Sequence, residues 1–271
     1  MTQVAAIQMV SSADLQQNLQ SARGLLRDAR GRGARVAVLP ENFAFMGCNE
    51  LDKLAVAEIQ GDGPIQGFVA DVAKELDIWI VAGTIPLRSA AAERVAAACL
   101  VFDDQGRNVV RYDKIHLFDV RLPSRDEHYQ ESATVKAGSS PVCVDTPAGR
   151  LGLSVCYDLR FPELFRRLLD MGAEWFCVPS AFTAATGRAH WEVLLRARAI
   201  ENLSYVVAPA QAGLHENSRE TYGNSMIVGP WGQVLARLPQ GTGAVVAEID
   251  LVAQRELRQN FPSVEHRRLM S

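Results

Sequence analysis

A single thiol, Cys156, closes an apolar alternating stretch (Leu151, Leu153, Val155) and is followed at once by Tyr157, Asp158 and the triplet Phe161-Pro162-Glu163. Proline fits the first turn of a helix, where its missing N–H leaves no hydrogen bond unmade. The segment from Arg150 to Arg167 therefore reads as strand, sharp turn, helix, with the thiol at the strand's end. A nucleophile placed there stands at a sheet edge, near backbone N–H groups free to receive negative charge. Most free cysteines only pack, so the charged residues elsewhere in the chain have to carry the rest of the case.

Three charged residues are candidates to serve such a thiol. Glu41, in L-P-E-N-F, directly follows a short apolar run. A carboxylate in that place is ordinarily solvated, but a buried one whose pKa is raised can take a thiol proton. Lys114, in Y-D-K-I-H-L-F-D, sits among Tyr112, Ile115, Leu117 and Phe118. A lysine in a dry site stabilises an oxyanion and favours a nearby thiolate. Glu131, in H-Y-Q-E-S, is a further carboxylate, with Asp113, Asp119, Glu127 and Asp158 competing for any second acidic role. A Cys–His hydrolase would instead need a histidine beside Cys156, and His116 and His190 are its candidates. No H-E-x-x-H, G-x-S-x-G, G-x-G-x-x-G or phosphate loop ending G-K-[ST] occurs.

The elements that must position these residues follow from hydrophobic periodicity. Val4–Met9 reads as a strand, Asp14–Arg30 as a helix closed by Gly31 and Gly33, and Arg35–Leu39 as a buried strand stopped by Pro40. Glu41 thus lies just past a strand's carboxyl end, where α/β proteins place their chemistry. Asn49–Glu58 and Ile65–Leu76 read as helices, and Ile78–Gly83 as a buried strand. Val95–Phe102 with Asn108–Tyr112 forms a hairpin, as does Val142–Thr146 with Arg150–Val155. Between the hairpins, Asp113–Gly138 is polar, aromatic and irregular, and a loop that long in a compact chain is usually functional or disordered. Helices at Pro162–Met171 and Ala189–Asn202, strands at Glu174–Val178, Ser204–Ala210, Ser225–Val228 and Ala244–Ile249, and a helical piece in the tail from Leu251 complete the reading. Strand–helix alternation followed by hairpins argues for a mixed sheet covered by helices, in a single domain spanning residues 1–271.

Composition narrows the class. The 271 residues are 48% hydrophobic and 22% charged, with a net charge of −3, which suits a globular protein with a sizeable core. That balance gives no reason to expect nucleic acid or an anionic membrane as partner. No apolar run approaches the roughly 20 residues that span a bilayer. The start, M-T-Q-V-A-A-I-Q, lacks a signal peptide's basic and apolar regions. The five cysteines form no C-x-x-C pair and are odd in number, which argues against both a disulfide framework and a zinc cage. A reducing cytoplasm is the expected location.

Taken together, L-P-E-N-F around Glu41, Y-D-K-I-H-L-F-D around Lys114 and S-V-C-Y-D-L-R-F-P-E-L around Cys156 resemble the Glu–Lys–Cys signature of the nitrilase superfamily of carbon–nitrogen hydrolases. The likeness runs from V-A-A-I-Q-M to G-P-W-G-Q-V near residue 230, and H-W-E-V-L-L-R-A-R-A-I-E-N and the closing H-R-R look like the Nit branch of amidases. The resemblance implies an α/β, four-layer α-β-β-α sandwich with mixed sheets, paired as a homodimer or higher homo-oligomer, with the Ala189–Asn202 helix near the subunit interface. It implies Cys156 as nucleophile, Glu41 as general base, and Lys114 with the Tyr157 N–H as oxyanion donors. It also implies Glu131 as the second glutamate, and Arg160 as a substrate-carboxylate ligand. The plain alternative for Arg160 is a salt bridge to Asp158 or Glu163.

The chemistry so implied is amide hydrolysis through a thioester, with no metal or organic cofactor. The motif contexts look closest to the Nit1-like branch, whose substrate is deaminated glutathione and whose products are 2-oxoglutarate and cysteinylglycine. The expected partner is thus a small-molecule amide bearing a carboxylate. An ω-amidase, another aliphatic amidase or an N-carbamoyl hydrolase of the same superfamily is the alternative. Asn42, Phe43 and Phe45 depart from the ω-amidase context. A non-catalytic metabolite-binding or scaffold member is the alternative class, against which the presence of all three signature residues argues.

Overall fold

The computed structural model describes residues 1–91, 93–122 and 127–269, with the side chains of Leu122 and Glu127 outside the description. Glu127 therefore drops out of the comparison of acidic residues. In chain order the first strands are β1 (Thr2–Gln8), β2 (Val36–Val38), β3 (Trp79–Val81), β4 (Ile85–Arg88), β5 (Val95–Phe102) and β6 (Asn108–Asp113). A hairpin, β7 (Asp119–Leu122) and β8 (Glu127–Gln130), comes next. Then come β9 (Cys143–Thr146), β10 (Gly149–Leu153), β11 (Trp175–Cys177), β12 (Tyr205–Ala208) and a second hairpin, β13 (Ala212–Leu214) with β14 (Glu220–Tyr222). The last strands are β15 (Ser225–Val228), β16 (Val234–Leu238) and β17 (Gly243–Ile249). The helices are α1 (Leu15–Gly31), α2 (Asp52–Ala55), α3 (Pro64–Leu76), α4 (Pro162–Asp170), α5 (Ala184–Asn202) and α6 (Leu251–Asn260).

Two mixed sheets form the centre. One runs β17-β1-β2-β3-β5-β4, with β6 on the other edge of β5; the second runs β16-β15-β12-β11-β10-β9. The pairs β1–β2–β3 and β10–β11–β12 are parallel, and the outer pairs antiparallel. Side chains alternate across each strand. Val4, Ala6, Val36 and Val38 point inward to join Leu151, Leu153, Val207 and Ile227 of the facing sheet. Ala5, Ile7, Ala37 and Ile80 point outward beneath Leu19, Leu26, Val69 and Val72 of α1 and α3. On the other side, Phe165 and Leu168 of α4 and Trp191 and Leu195 of α5 cover the second sheet. This is the four-layer α-β-β-α sandwich that the resemblance implied.

Local chemistry sets the helix ends. The Asp14 side chain accepts from Gln17 N–H at the start of α1, and Asp250 caps α6 in the same way. Gly63 offers α3 no side chain, and the buried Glu58 takes over, accepting from Ile65 and Gln66 N–H. The helix expected over Asn49–Glu58 shrinks to the single turn Asp52–Ala55, whose residues are not buried and so gain little from tertiary packing. The segment Asp113–Gly138, expected to be irregular, instead contains the β7–β8 hairpin and a 3₁₀ turn at Glu131–Ala133.

Candidate active site

The strands that matter end at one rim. β2 and β3 run parallel, β5 opposes β3, and β6 opposes β5, so β2 and β6 point the same way. Glu41 follows β2 and Lys114 follows β6, which puts both at the same end of the first sheet. Two close backbone approaches hold them. Gly83, at φ 47°, lies so near Pro40 that a Cβ would sit 1.9 Å from its carbonyl oxygen. Gly138 donates to the Lys114 carbonyl at 2.8 Å, and a Cβ there would come within 2.1 Å of Asp113 O.

Cys156 arrives from the second sheet. Its N–H donates to Pro179 O at 2.9 Å, and its backbone is left-handed, φ 48°, an arrangement unfavourable for a residue with a Cβ. Such strain persists where the surroundings over-determine it. Asp158, fully buried, does so here. Its Oδ2 accepts from Val155 N–H (2.8 Å) and the Tyr112 hydroxyl (2.6 Å), and its Oδ1 from His116 N–H (3.0 Å). His116 Nδ1 lies 2.7 Å from the same Oδ1, and its ring stacks on Phe161 at 3.6 Å. His116 is thus a prop of the turn. His190 meets Arg160, 3.2 Å away. Both candidate histidines are engaged away from the thiol.

Lys114 is 1% exposed, and its Nζ donates to Glu41 Oε1 at 2.8 Å and to both Glu131 oxygens at 2.9 and 2.8 Å. Glu131 is held in turn by Phe118 N–H at 2.7 Å, and Glu41 Oε2 by Ala181 N–H at 2.9 Å. Burial alone would raise the Glu41 pKa; the Lys114 ammonium outweighs it and holds the carboxyl below its ordinary 4.5. Burial likewise pushes Lys114 down, but the charges of Glu131 and Glu41 carry it well above 10.5. The Cys156 thiol is pushed far up by burial and then by Glu41, against the pull of Lys114. At neutral pH Cys156 is therefore a neutral thiol beside the Glu41 carboxylate and the Lys114 ammonium.

These groups share one open cavity with Phe45, Tyr157, Arg160, Phe182 and Arg219. The structure brings together all six candidate residues, Glu41, Lys114, Glu131, Cys156, Tyr157 and Arg160. Arg160 bonds neither Asp158 nor Glu163 among the described residues; its guanidinium lies over the rings of Phe182 (5.3 Å) and Tyr157 (5.7 Å). Asp158, one of several competing acids in the sequence, serves the turn and not the cavity. Arg219 escaped sequence reasoning because it stands in a polar stretch with no motif around it. Among the described residues no cluster of His, Cys, Asp and Glu is arranged to hold a metal ion, and no helix is long and apolar enough to cross a membrane.

The carbon–nitrogen hydrolase family model matches residues 3–259. This chain belongs to the carbon–nitrogen hydrolase family. As such it is an enzyme of C–N bond hydrolysis. It is 45% identical over 266 residues to a deaminated glutathione amidase of Synechocystis, covering 97% of each chain. The human deaminated glutathione amidase is 41% identical, over 98% of this chain and 82% of that one. Among solved structures, the NitFhit protein of C. elegans superimposes with a TM-score of 0.92 at 40% identity, over 98% of this hydrolase and 65% of the NitFhit chain. The hydrolase therefore spans just under two thirds of that longer protein.

Proposed function

We propose that this hydrolase is an amidase working through a thioester on Cys156, with deaminated glutathione as its substrate and 2-oxoglutarate and cysteinylglycine as products. The observation that carries the reading is the Glu41–Lys114–Glu131 charge set, centred on the buried Lys114 and Glu41, sharing a cavity with Cys156. The 45% identity to the Synechocystis amidase supports the substrate. The whole chain acts as one catalytic domain, a cytoplasmic homodimer or higher homo-oligomer with α5 near the subunit interface.

The mechanism follows from the proton positions. The thiol is held high and Glu41 low, so full proton transfer ahead of attack is unfavourable. Transfer of the Cys156 proton to Glu41 accompanies attack of sulfur on the amide carbonyl. The oxygen that becomes negative is received by Lys114 Nζ and the Tyr157 N–H. Glu41 passes its proton to the departing amine as the C–N bond breaks, leaving the thioester. Glu41 next takes a proton from water, whose oxygen attacks the thioester; the acid is released and sulfur regains its proton. Glu131 touches no reacting atom and orients Lys114. Arg160 binds a substrate carboxylate, a contact that a guanidinium makes through two parallel hydrogen bonds.

Release of 2-oxoglutarate from deaminated glutathione, set against 2-oxoglutaramate and a simple nitrile, tests the assignment. A strong preference for deaminated glutathione is expected. Greater turnover of 2-oxoglutaramate would make the chain an ω-amidase, and inertness toward all three would overturn the substrate reading. An acyl adduct located on Cys156 by mass spectrometry is the expected sign of the thioester.

A further inference from the structure

The charges around the cavity do not balance pair by pair. Glu41 and Glu131 are both satisfied by Lys114, and Glu50 by Lys53 at 2.6 Å. That leaves two guanidiniums on the cavity wall, Arg160 and Arg219, with no carboxylate partner among the described residues. Arg160 stands on the turn that carries Cys156. Arg219 stands across the cavity wall, in the turn that leads into β14. Its Nη2 donates to Ala181 O, its guanidinium lies 5.3 Å over the Tyr129 ring, and its buried Nε has no hydrogen-bond partner. Leaving a cationic donor group this poorly satisfied is costly unless a ligand completes it.

From this arrangement we infer that the site binds a dicarboxylate amide, one carboxylate on each side of the scissile bond, with Arg219 holding the carboxylate of the departing amine. The inference rests on the substrate reading above and deepens it, because deaminated glutathione carries one carboxylate on its acyl part and one on its terminal glycine. The assignment of sides follows from connectivity. Ala181 gives its N–H to Glu41 and its C=O to Arg219, so Arg219 is one residue removed from the carboxyl that protonates the leaving nitrogen. The cavity also continues on that side. An adjoining hollow shares Gly47, Tyr129, Asn217 and Arg219 with the main cavity, giving a dipeptide room beyond the cut bond.

The test compares deaminated glutathione with the analogue whose glycine carboxylate is a primary amide, reading kcat/KM for 2-oxoglutarate release. The wild-type enzyme should prefer the free acid by about 10- to 100-fold, the range of a charge-assisted contact. Arg219→Gln should lose most of that preference by falling on the acid far more than on the amide. Arg219→Lys should retain part of it, with KM raised more than kcat is lowered. Equal use of both compounds by the wild type overturns the inference, whether or not any variant folds. So does an equal loss on both compounds in Arg219→Gln, which would make Arg219 a support for Ala181 only. If the wild type released no 2-oxoglutarate from deaminated glutathione, the substrate reading would fail first and this inference with it.

Discussion

The Tyr112 hydroxyl donates to Asp158 Oδ2 across 2.6 Å, and in doing so ties the edge strand β6 of one sheet to the turn that follows β10 of the other. Both residues are fully buried, and burial and the Asp158 charge together push the tyrosine's pKa well above 10.0. The carboxylate also collects Val155 N–H and His116, so the conformation at Cys156 depends on a residue that never faces the cavity.

Replacing Asp158 by Ala strips four polar groups of their acceptor. A loss of roughly 2–4 kcal/mol in unfolding free energy is expected from such orphaned donors, with a fall in kcat. Tyr112→Phe removes one of these bonds and should cost only about 1 kcal/mol. Urea titrations of the three proteins measure the difference; equal stability of Asp158→Ala and wild type would contradict the anchoring role.

The left-handed backbone at Cys156 gives a prediction about strain. Cys156→Ala and Cys156→Gly should both abolish turnover while remaining folded. Glycine has no Cβ to crowd the backbone at φ 48°, so Cys156→Gly should be the more stable of the two by roughly 1 kcal/mol. Thermal melts of the pair decide this, and a less stable glycine variant would count against strain at the position.

Lys114→Ala should lower kcat by about 10²–10³, the cost of one oxyanion donor, and destabilise the fold by leaving the buried Glu41 and the partly buried Glu131 without their cation. Glu131→Gln should lower kcat less and leave the shape of the pH–rate profile as it was, because Glu131 transfers no proton in the proposed scheme. A profile whose acid limb moved in Glu131→Gln would point to Glu131 and not Glu41 as the base.

The direction of the Glu41 shift sets the acid side. A carboxyl held below 4.5 when folded contributes stability that is present above its unfolded pKa and fades as pH falls through the folded value. Wild type and Glu41→Gln should therefore differ in the pH dependence of stability below about pH 5, the wild type losing more on acidification. Lys114, raised when folded, contributes on the other side: its part is complete below about 10.4 and lost only as pH climbs through the folded value. Unfolding midpoints measured across both ranges check the two signs.

Periodicity carried the buried parts of the fold. Val95–Phe102 and Ser225–Val228 were legible to the residue, and β1, α1 and β2 nearly so, because each pairs a strong apolar pattern with a clear stop such as Pro40 or the glycines after Arg30. Elements at the rims were not. Pro86 made Ile85–Arg88 look unlike a strand, yet it sits on an edge where a missing N–H is tolerated. β16 exposes Val234 and Leu235 while Ala236 and Leu238 pack on the core, so its apolar residues do not alternate cleanly. α5 begins five residues before the expected Ala189, capped by Thr183, because Gly187 in its first turns disguised a helix start. That glycine is required: a Cβ there would lie 2.3 Å from the Tyr222 side chain. At the site, Glu41, Lys114 and Cys156 stood out through their flanking residues. The jobs of Asp158 and Arg219 did not, since each depends on contacts made far away in the chain.

The groups of the proposed mechanism arrive on separate halves of the molecule: Glu41 and Lys114 with the first sheet, Cys156 with the second. The Cys156 sulfur and the Glu41 carboxylate are therefore in reach of each other only while Val4, Val36 and Val38 stay meshed with Leu151, Leu153 and Val207. Turnover is in effect a gauge of that mesh. A slip of one slab over the other by a fraction of a side chain would silence the enzyme while every strand and helix remained intact.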